Sequence, residues 1–126
     1  MNGYLISTGD RPGLAAKLFE AAAARGVNVF PAFGMSDGAT SLICVGSDDE
    51  VGLGASIADC GLVARAFEMA EAELDNTPGA GAALFRKLAN AGVDLRIAVP
   101  IGMNGDRVQL ALGATDPERL RTALAS

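Results

Sequence analysis

The sequence states nearly the same pattern twice. Asp10-Arg11-Pro12-Gly13 returns as Asn76-Thr77-Pro78-Gly79, Leu18-Phe19 as Leu84-Phe85, and Gly26-Val27-Asn28-Val29 as Gly92-Val93-Asp94-Leu95. All three pairs share one offset, which marks a duplicated unit rather than scattered likeness. The offset slips by one near the turn signals Asp37-Gly38 and Asn104-Gly105. The chain has 126 residues. A unit of roughly 60 residues buries only about 60% of its unfolded surface and is marginal alone. Units over residues 1–67 and 68–126 are therefore expected to gain stability by packing together and onto a second chain. With no Trp and one Tyr, their cores must be built from Leu, Val, Ile, Phe and Ala.

In the first copy, Tyr4–Ser7 reads as a strand feeding the Gly-Asp-Arg-Pro-Gly turn. Leu14, Leu18 and Ala22 repeat at i, i+4, i+8, with Phe19 widening the stripe, which predicts a helix over 12–25. Pro12 suits its first turn and Gly26 a left-handed C-cap. A strand from Val27 to Met35, the Asp37-Gly38 hairpin and a returning strand Ser41–Gly46 follow. Ser47 to Glu50 has capping-box spacing and opens a helix through Asp59, which Gly52 and Gly54 weaken by about 1 kcal/mol each.

The stretch Leu62–Leu74 is expected to hold the last strand of the first copy and the first of the second. A helix over 78–91, strands over 93–101 and 108–113, and a capping box at Thr115–Glu118 before a final helix complete the second copy. Each copy thus reads β-α-β-β-α, with a fourth strand in the first. The predicted class is α+β. Two ferredoxin-like βαββαβ units would carry antiparallel sheets with both helices on one face. The second lacks a terminal strand of its own, an edge left for the 62–74 segment or a partner chain to fill.

Several function classes are disfavoured. A formal charge of −5 and the lack of a basic stripe argue against a nucleic-acid partner. No apolar run approaches the roughly 20 residues a bilayer requires, so no membrane association is expected. Met1-Asn2-Gly3-Tyr4 lacks the features of a secretory signal, and the chain reads as cytoplasmic. Cys44, in an apolar run, and Cys60 show no Cys-x-x-Cys spacing and read as reduced structural residues. No histidine is present, which removes the commonest general base and the usual nucleophile partners. No metal or cofactor is implied: Asp48-Asp49-Glu50 reads as helix-start charge, and Glu71, Glu73 and Asp75 as a solvated strand face. An acylphosphatase-like use of Arg11 and Asn28 would need a fuller phosphate cradle. The chain is therefore read as no enzyme.

The repeated turns each precede a helix N-terminus, where free N–H groups and the helix dipole attract an anion such as a carboxylate. Gly13 and Gly79 permit close backbone approach. Asn28 and Asp94 open the following strand, expected to lie beside that turn. Asp10 or Asp94 can pair with an ammonium group, and Asn28 can both donate and accept.

A strand, then Asp-Arg-Pro-Gly-Leu opening a helix, then Gly-Val-Asn-Val entering the next strand, resembles the ACT domain, here in two tandem copies over nearly the whole chain. That resemblance implies a stand-alone regulatory protein binding a small effector, usually an amino acid. The effector would sit where two units or two chains meet, touching the turn of one and the helix-to-strand segment of the other. It carries ligand contact to Asp10, Arg11, Pro12, Gly13, Leu14, Asn28 and Val29, and to Asn76, Thr77, Pro78, Gly79, Ala80, Asp94 and Leu95 in the second copy. It also implies a homodimer and a regulated protein partner. The second turn departs from the pattern, with Asn-Thr for Asp-Arg and Asp94 for Asn28. The two pockets therefore differ, and the first is favoured. A plainer reading stands beside this one. Asp10, Asn76 or Thr77 would be helix N-caps, Asn28 and Asp94 polar helix exits, and the protein an oligomeric interaction scaffold without ligand.

Overall fold

The computed structural model describes residues 2–126. It divides the chain into two compact units, Met1–Phe67 and Glu68–Ser126. The first contains β1 (Asn2–Gly9), α1 (Leu14–Ala24), β2 (Ala32–Ser36), β3 (Thr40–Gly46), α2 (Glu50–Asp59) and β4 (Ala64–Glu68). Its sheet has the order β2-β3-β1-β4, with β1 and β2 both antiparallel to β3. Side chains alternate across a strand, so Ile43 and Val45 of β3 point to one face. There they meet Ile6 of β1, Leu14, Leu18 and Ala22 of α1, and Leu53 and Ile57 of α2. Both helices feed one core, so both cover the same face of the sheet.

The second unit contains β5 (Ala70–Asp75), α3 (Ala80–Asn90), β6 (Leu95–Asn104), β7 (Arg107–Ala114) and α4 (Pro117–Ala125). Its sheet has three strands, β5-β7-β6, both pairs antiparallel. Leu110 and Leu112 of β7 meet Leu88 of α3 and Leu120 and Ala123 of α4 in its core. The expected α+β class and ferredoxin-like plan are present, and among the described residues the second sheet has no fourth strand.

Local departures have physical causes. The helices begin at Leu14 and Ala80, two residues beyond the prolines. Phe19 and Phe85 do not join the cores and are 42% and 41% exposed. Leu14, Leu18 and Ala22 are the buried residues of α1, and the residue after Leu18 lies about 100° further round the helix. The strand expected from Val27 starts only at Ala32. Pro31 brings no N–H to the ladder, although Phe30 N–H and the Pro31 carbonyl still bond to Gly46. In the second unit Pro100 sits on β6, an edge strand, where the register with β7 shifts.

Neither capping box forms as expected. Asp49, not Ser47, caps α2 by accepting from Gly52 N–H at 2.8 Å. Asp116, not Thr115, caps α4 by accepting from Arg119 N–H at 3.1 Å. The α2 glycines answer to packing. A Cβ on Gly52 would overlap the Asp49 carboxylate and lie 2.7 Å from a Val27 methyl, and one on Gly54 would lie 3.0 Å from the Tyr4 hydroxyl. Helix propensity alone would have Gly52→Ala stabilise by about 1 kcal/mol. We expect the reverse, a loss of about 1–3 kcal/mol from overpacking in urea denaturation. A stabilised variant would show that α2 does not pack this closely.

Candidate functional site

The first turn is built from the end of β1. Gly9 pairs with Thr40 at the start of β3. Asp10 N–H then donates to the Ala39 carbonyl at 2.9 Å. The Asp10 carboxylate accepts from the Ser41 hydroxyl at 2.7 Å, which fixes it beside the β2–β3 hairpin. Gly13 takes a φ of +84°, a left-handed conformation that L side chains rarely adopt, and forms the N-cap of α1 with no side-chain cap bond. The first N–H groups of a helix have no intrahelical partner, and none here is satisfied by a cap. No atom lies within 4 Å of the position a Gly13 Cβ would take. Arg11, Pro12 and Gly13 are exposed, while Leu14 is buried and anchors the turn to the core.

The second turn repeats this backbone. Asn76 N–H donates to the Asp106 carbonyl at 2.8 Å, and Gly79 forms the N-cap of α3 at φ +90°, again with no side-chain cap bond. Ala80 N–H donates to the Thr77 carbonyl at 3.3 Å. Pro78 is exposed and Ala80 half-buried. The N-cap reading of Asp10, Asn76 and Thr77 is therefore not how these helices begin.

The other predicted residues gather at the far end of each sheet. The Asn28 carbonyl accepts from the buried Ser47 hydroxyl at 2.6 Å, and Phe30 N–H donates to Gly46 at 2.9 Å. The Asn28 side chain is exposed, and Val29 packs on the core. In the second unit the Asp94 carbonyl accepts from Thr115 N–H at 3.2 Å, its carboxylate lies 3.3 Å from Arg96, and Leu95 packs on the core.

The turn is thus level with Thr40 and the Asn28 segment with Gly46. At 3.3 Å per residue the ends of β3 lie about 20 Å apart. The expectation that Asn28 and Asp94 stand beside the turn of their own unit is corrected: α1 carries the chain to the opposite end of the sheet. Asp10, Arg11, Pro12, Gly13 and Leu14 come together, and Asn28 with Val29 form a separate group. The same division holds for Asn76, Thr77, Pro78, Gly79 and Ala80 against Asp94 and Leu95. Arg11 and Asn28 cannot share one phosphate.

Ser41 and Ser47 carry no sequence signal of these bonds: Ser41 belongs to no motif, and Ser47 has the spacing of a capping box that does not form. A surface depression of about 440 Å³ lies in the second unit, lined by Ala91, Asp116, Arg119, Thr122 and Ser126 among others, and includes no predicted site residue. Both cysteines are free and buried. Burial pushes the Cys44 thiol up to about 11, so it is not a thiolate nucleophile at neutral pH. Among the described residues no three His, Cys, Asp or Glu side chains are grouped to hold a metal ion. No helix among them is long and apolar enough to cross a membrane.

No protein-family model matches the sequence, and no curated protein matches it. Solved structures do. A protein from Bacteroides thetaiotaomicron superposes with a TM-score of 0.82 at 14% identity, over 98% of this chain and 85% of that one. The regulatory subunit of aspartate kinase from Thermus thermophilus, in its ligand-free form, gives 0.72 at 21% identity, over 98% and 87%. The chain shares its fold with aspartate kinase regulatory subunits. The corresponding subunit from Thermus flavus gives 0.69 at 22% identity, over 98% and 87%. The fold expected from the ACT resemblance is the one observed.

The buried Ser47 hydroxyl, which donates to Asn28 and accepts from Asp49 N–H at 3.1 Å, pins the helix-exit segment. Ser47→Ala leaves both partners short of a bond and is expected to cost about 1–3 kcal/mol, read by urea denaturation. A loss near zero would show the segment to be held by other contacts.

Proposed function

We propose that the chain is a non-catalytic regulatory protein that binds a small molecule, an amino acid, at the Asp10–Leu14 turn. One observation carries this reading: α1 starts on a left-handed glycine with no side-chain cap, beside a carboxylate fixed by Ser41. An amino-acid carboxylate accepts from the open N–H groups of such a helix start, and its ammonium group pairs with Asp10. Kinship in fold with aspartate kinase regulatory subunits supports a regulatory rather than a catalytic role. So does a chain without histidine, whose Cys44 thiol is held protonated by burial.

The first unit is the better candidate. The second has Asn76 and Thr77 where the first has Asp10 and Arg11, and Asp94 faces Arg96. A small ligand at the turn cannot reach Asn28 of the same unit about 20 Å away. In this reading Asn28 and Val29 complete a site formed with a second copy of the chain, which makes the protein a homodimer. Binding regulates a protein partner only through tighter affinity for one arrangement of the assembly. A ligand-free interaction scaffold is favoured by one observation: residues 10–13 are all exposed, so one unit alone does not enclose a ligand.

Thermal melts against each of the twenty amino acids separate the two. A ligand at 100 times its Kd stabilises by about 2.7 kcal/mol, a shift of several degrees. Asn28→Ala is expected to abolish that shift and leave the ligand-free melt nearly unchanged, because the Asn28 side chain makes no hydrogen bond among the described residues. No shift with any amino acid at millimolar concentration would leave the scaffold. Sedimentation checks the dimer, and a monomer at micromolar concentration refutes the shared site.

A further inference from the structure

We infer that the free edge of β5 is a docking site for an extended, basic segment of another protein, which adds to the second sheet as its fourth strand. In the first unit the place beside β1 is held by β4, whose Ala64 packs against the core under the helices. In the second unit the equivalent place beside β5 holds no strand among the described residues. A sheet edge presents a row of unpaired N–H and C=O groups, a template for another strand.

The edges of the two sheets are not alike. Edge strand β2 has five residues and directly follows Pro31. Edge strand β6 carries Pro100 and two register shifts. Proline, bulges and charged side chains are the usual means of blunting an edge. β5 has no proline and no bulge and pairs with β7 in unbroken register from Ala70↔Leu112 to Asp75↔Arg107; the charges it carries, Glu71, Glu73 and Asp75, close it to acidic strands but not to basic ones.

The side chains of β5 select the occupant. Ala70, Ala72 and Leu74 pack against the core. Glu71, Glu73 and Asp75 lie on the opposite face and are exposed. Across that face their neighbours on β7 are Ala111, Gln109 and Arg107, and beyond them on β6 Val99, Gly102 and Asn104. One cation lies among these neighbours, Arg107, which bonds Glu73 at 2.8 Å and Asp75 at 2.7 Å. Glu71 has no ion-pair partner among the described residues. A second copy docking β5 against β5 would set carboxylates opposite carboxylates, which is destabilising. A strand with Lys or Arg on its outer face and small apolar residues on its inner face meets both requirements.

The test uses the full chain and blocked peptides of about eight residues, a strand's length: one alternating valine and arginine, the other valine and glutamate. Amide exchange by NMR is followed in β5. The basic peptide is expected to bind saturably, to slow by at least tenfold the β5 amides that face away from β7, and to weaken as salt rises. Glu71→Lys, an exposed change, is expected to weaken that peptide about tenfold. Absence of protection at millimolar peptide overturns the proposal, as does equal binding of the acidic peptide. Protection of those amides without peptide, in a sedimenting dimer, would make the occupant a second copy and also overturns it. Amino-acid melts read the first unit and leave this outcome independent.

Discussion

The pairing of β3 with strands on both sides sets the geometry of the first unit. Its register with β1 and β2 is unbroken, and Ile43 and Val45 must face the helices while Leu42 and Cys44 face away. A slip of one residue would turn the core residues outward, so the register is not negotiable. It fixes the Asp10 turn level with one end of β3 and Asn28 level with the other. Any ligand contact combining them must come from two units or two chains, because no side-chain motion spans about 20 Å. β7 imposes the same separation on Asn76 and Asp94 through Leu110 and Leu112.

Duplication has kept the backbone and let the polar groups drift. The two glycine N-caps differ by only a few degrees in φ, at 84° and 90°. The carboxylate fixed by Ser41 in the first turn has an asparagine as its counterpart in the second. Asp94 stands where the first unit has Asn28, whose side chain makes no hydrogen bond among the described residues, and it meets Arg96, but an exposed pair of this kind contributes about 0–1 kcal/mol. It would yield to a ligand without closing the site. What changes is the charge offered: a neutral donor and acceptor in one unit, an anion beside a cation in the other.

The order of elements, the Leu14-Leu18-Ala22 stripe, the hairpin turns and the acidic alternation of β5 were legible because each follows from a local period or a glycine constraint. The caps were not. Ser47 and Thr115 have the right spacing to Glu50 and Glu118, but Asp49 and Asp116 stand closer to the helix start and accept from its N–H groups instead. The place of Asn28 was recoverable by counting: an 11-residue helix advances the chain about 16 Å, too far for both its ends to touch one small molecule. Ser41 was not recoverable, since its bond to Asp10 depends on a strand pairing between distant residues.

The two units also differ in how firmly they hold the helix-exit end. In the first, Asn2 N–H donates to the Glu50 carboxylate at 2.7 Å, the Tyr4 hydroxyl donates to the Glu50 carbonyl at 3.1 Å, and Ser47 ties Asn28 to the start of α2. Gly52 and Gly54 let that helix approach Val27 and Tyr4. Each glycine gives up about 1 kcal/mol of helix propensity, a loss that persists only where close packing offsets it. At the matching positions α4 carries Arg119 and Arg121 instead, and its start is held by Asp116 and by the Thr115–Asp94 bond. Positioned polar groups bind better than mobile ones because less freedom is lost on binding. The first unit thus holds both the Asp10 turn and the Asn28 segment by side-chain hydrogen bonds, and this positioning, more than likeness to any motif, is what supports the proposal that places a ligand there.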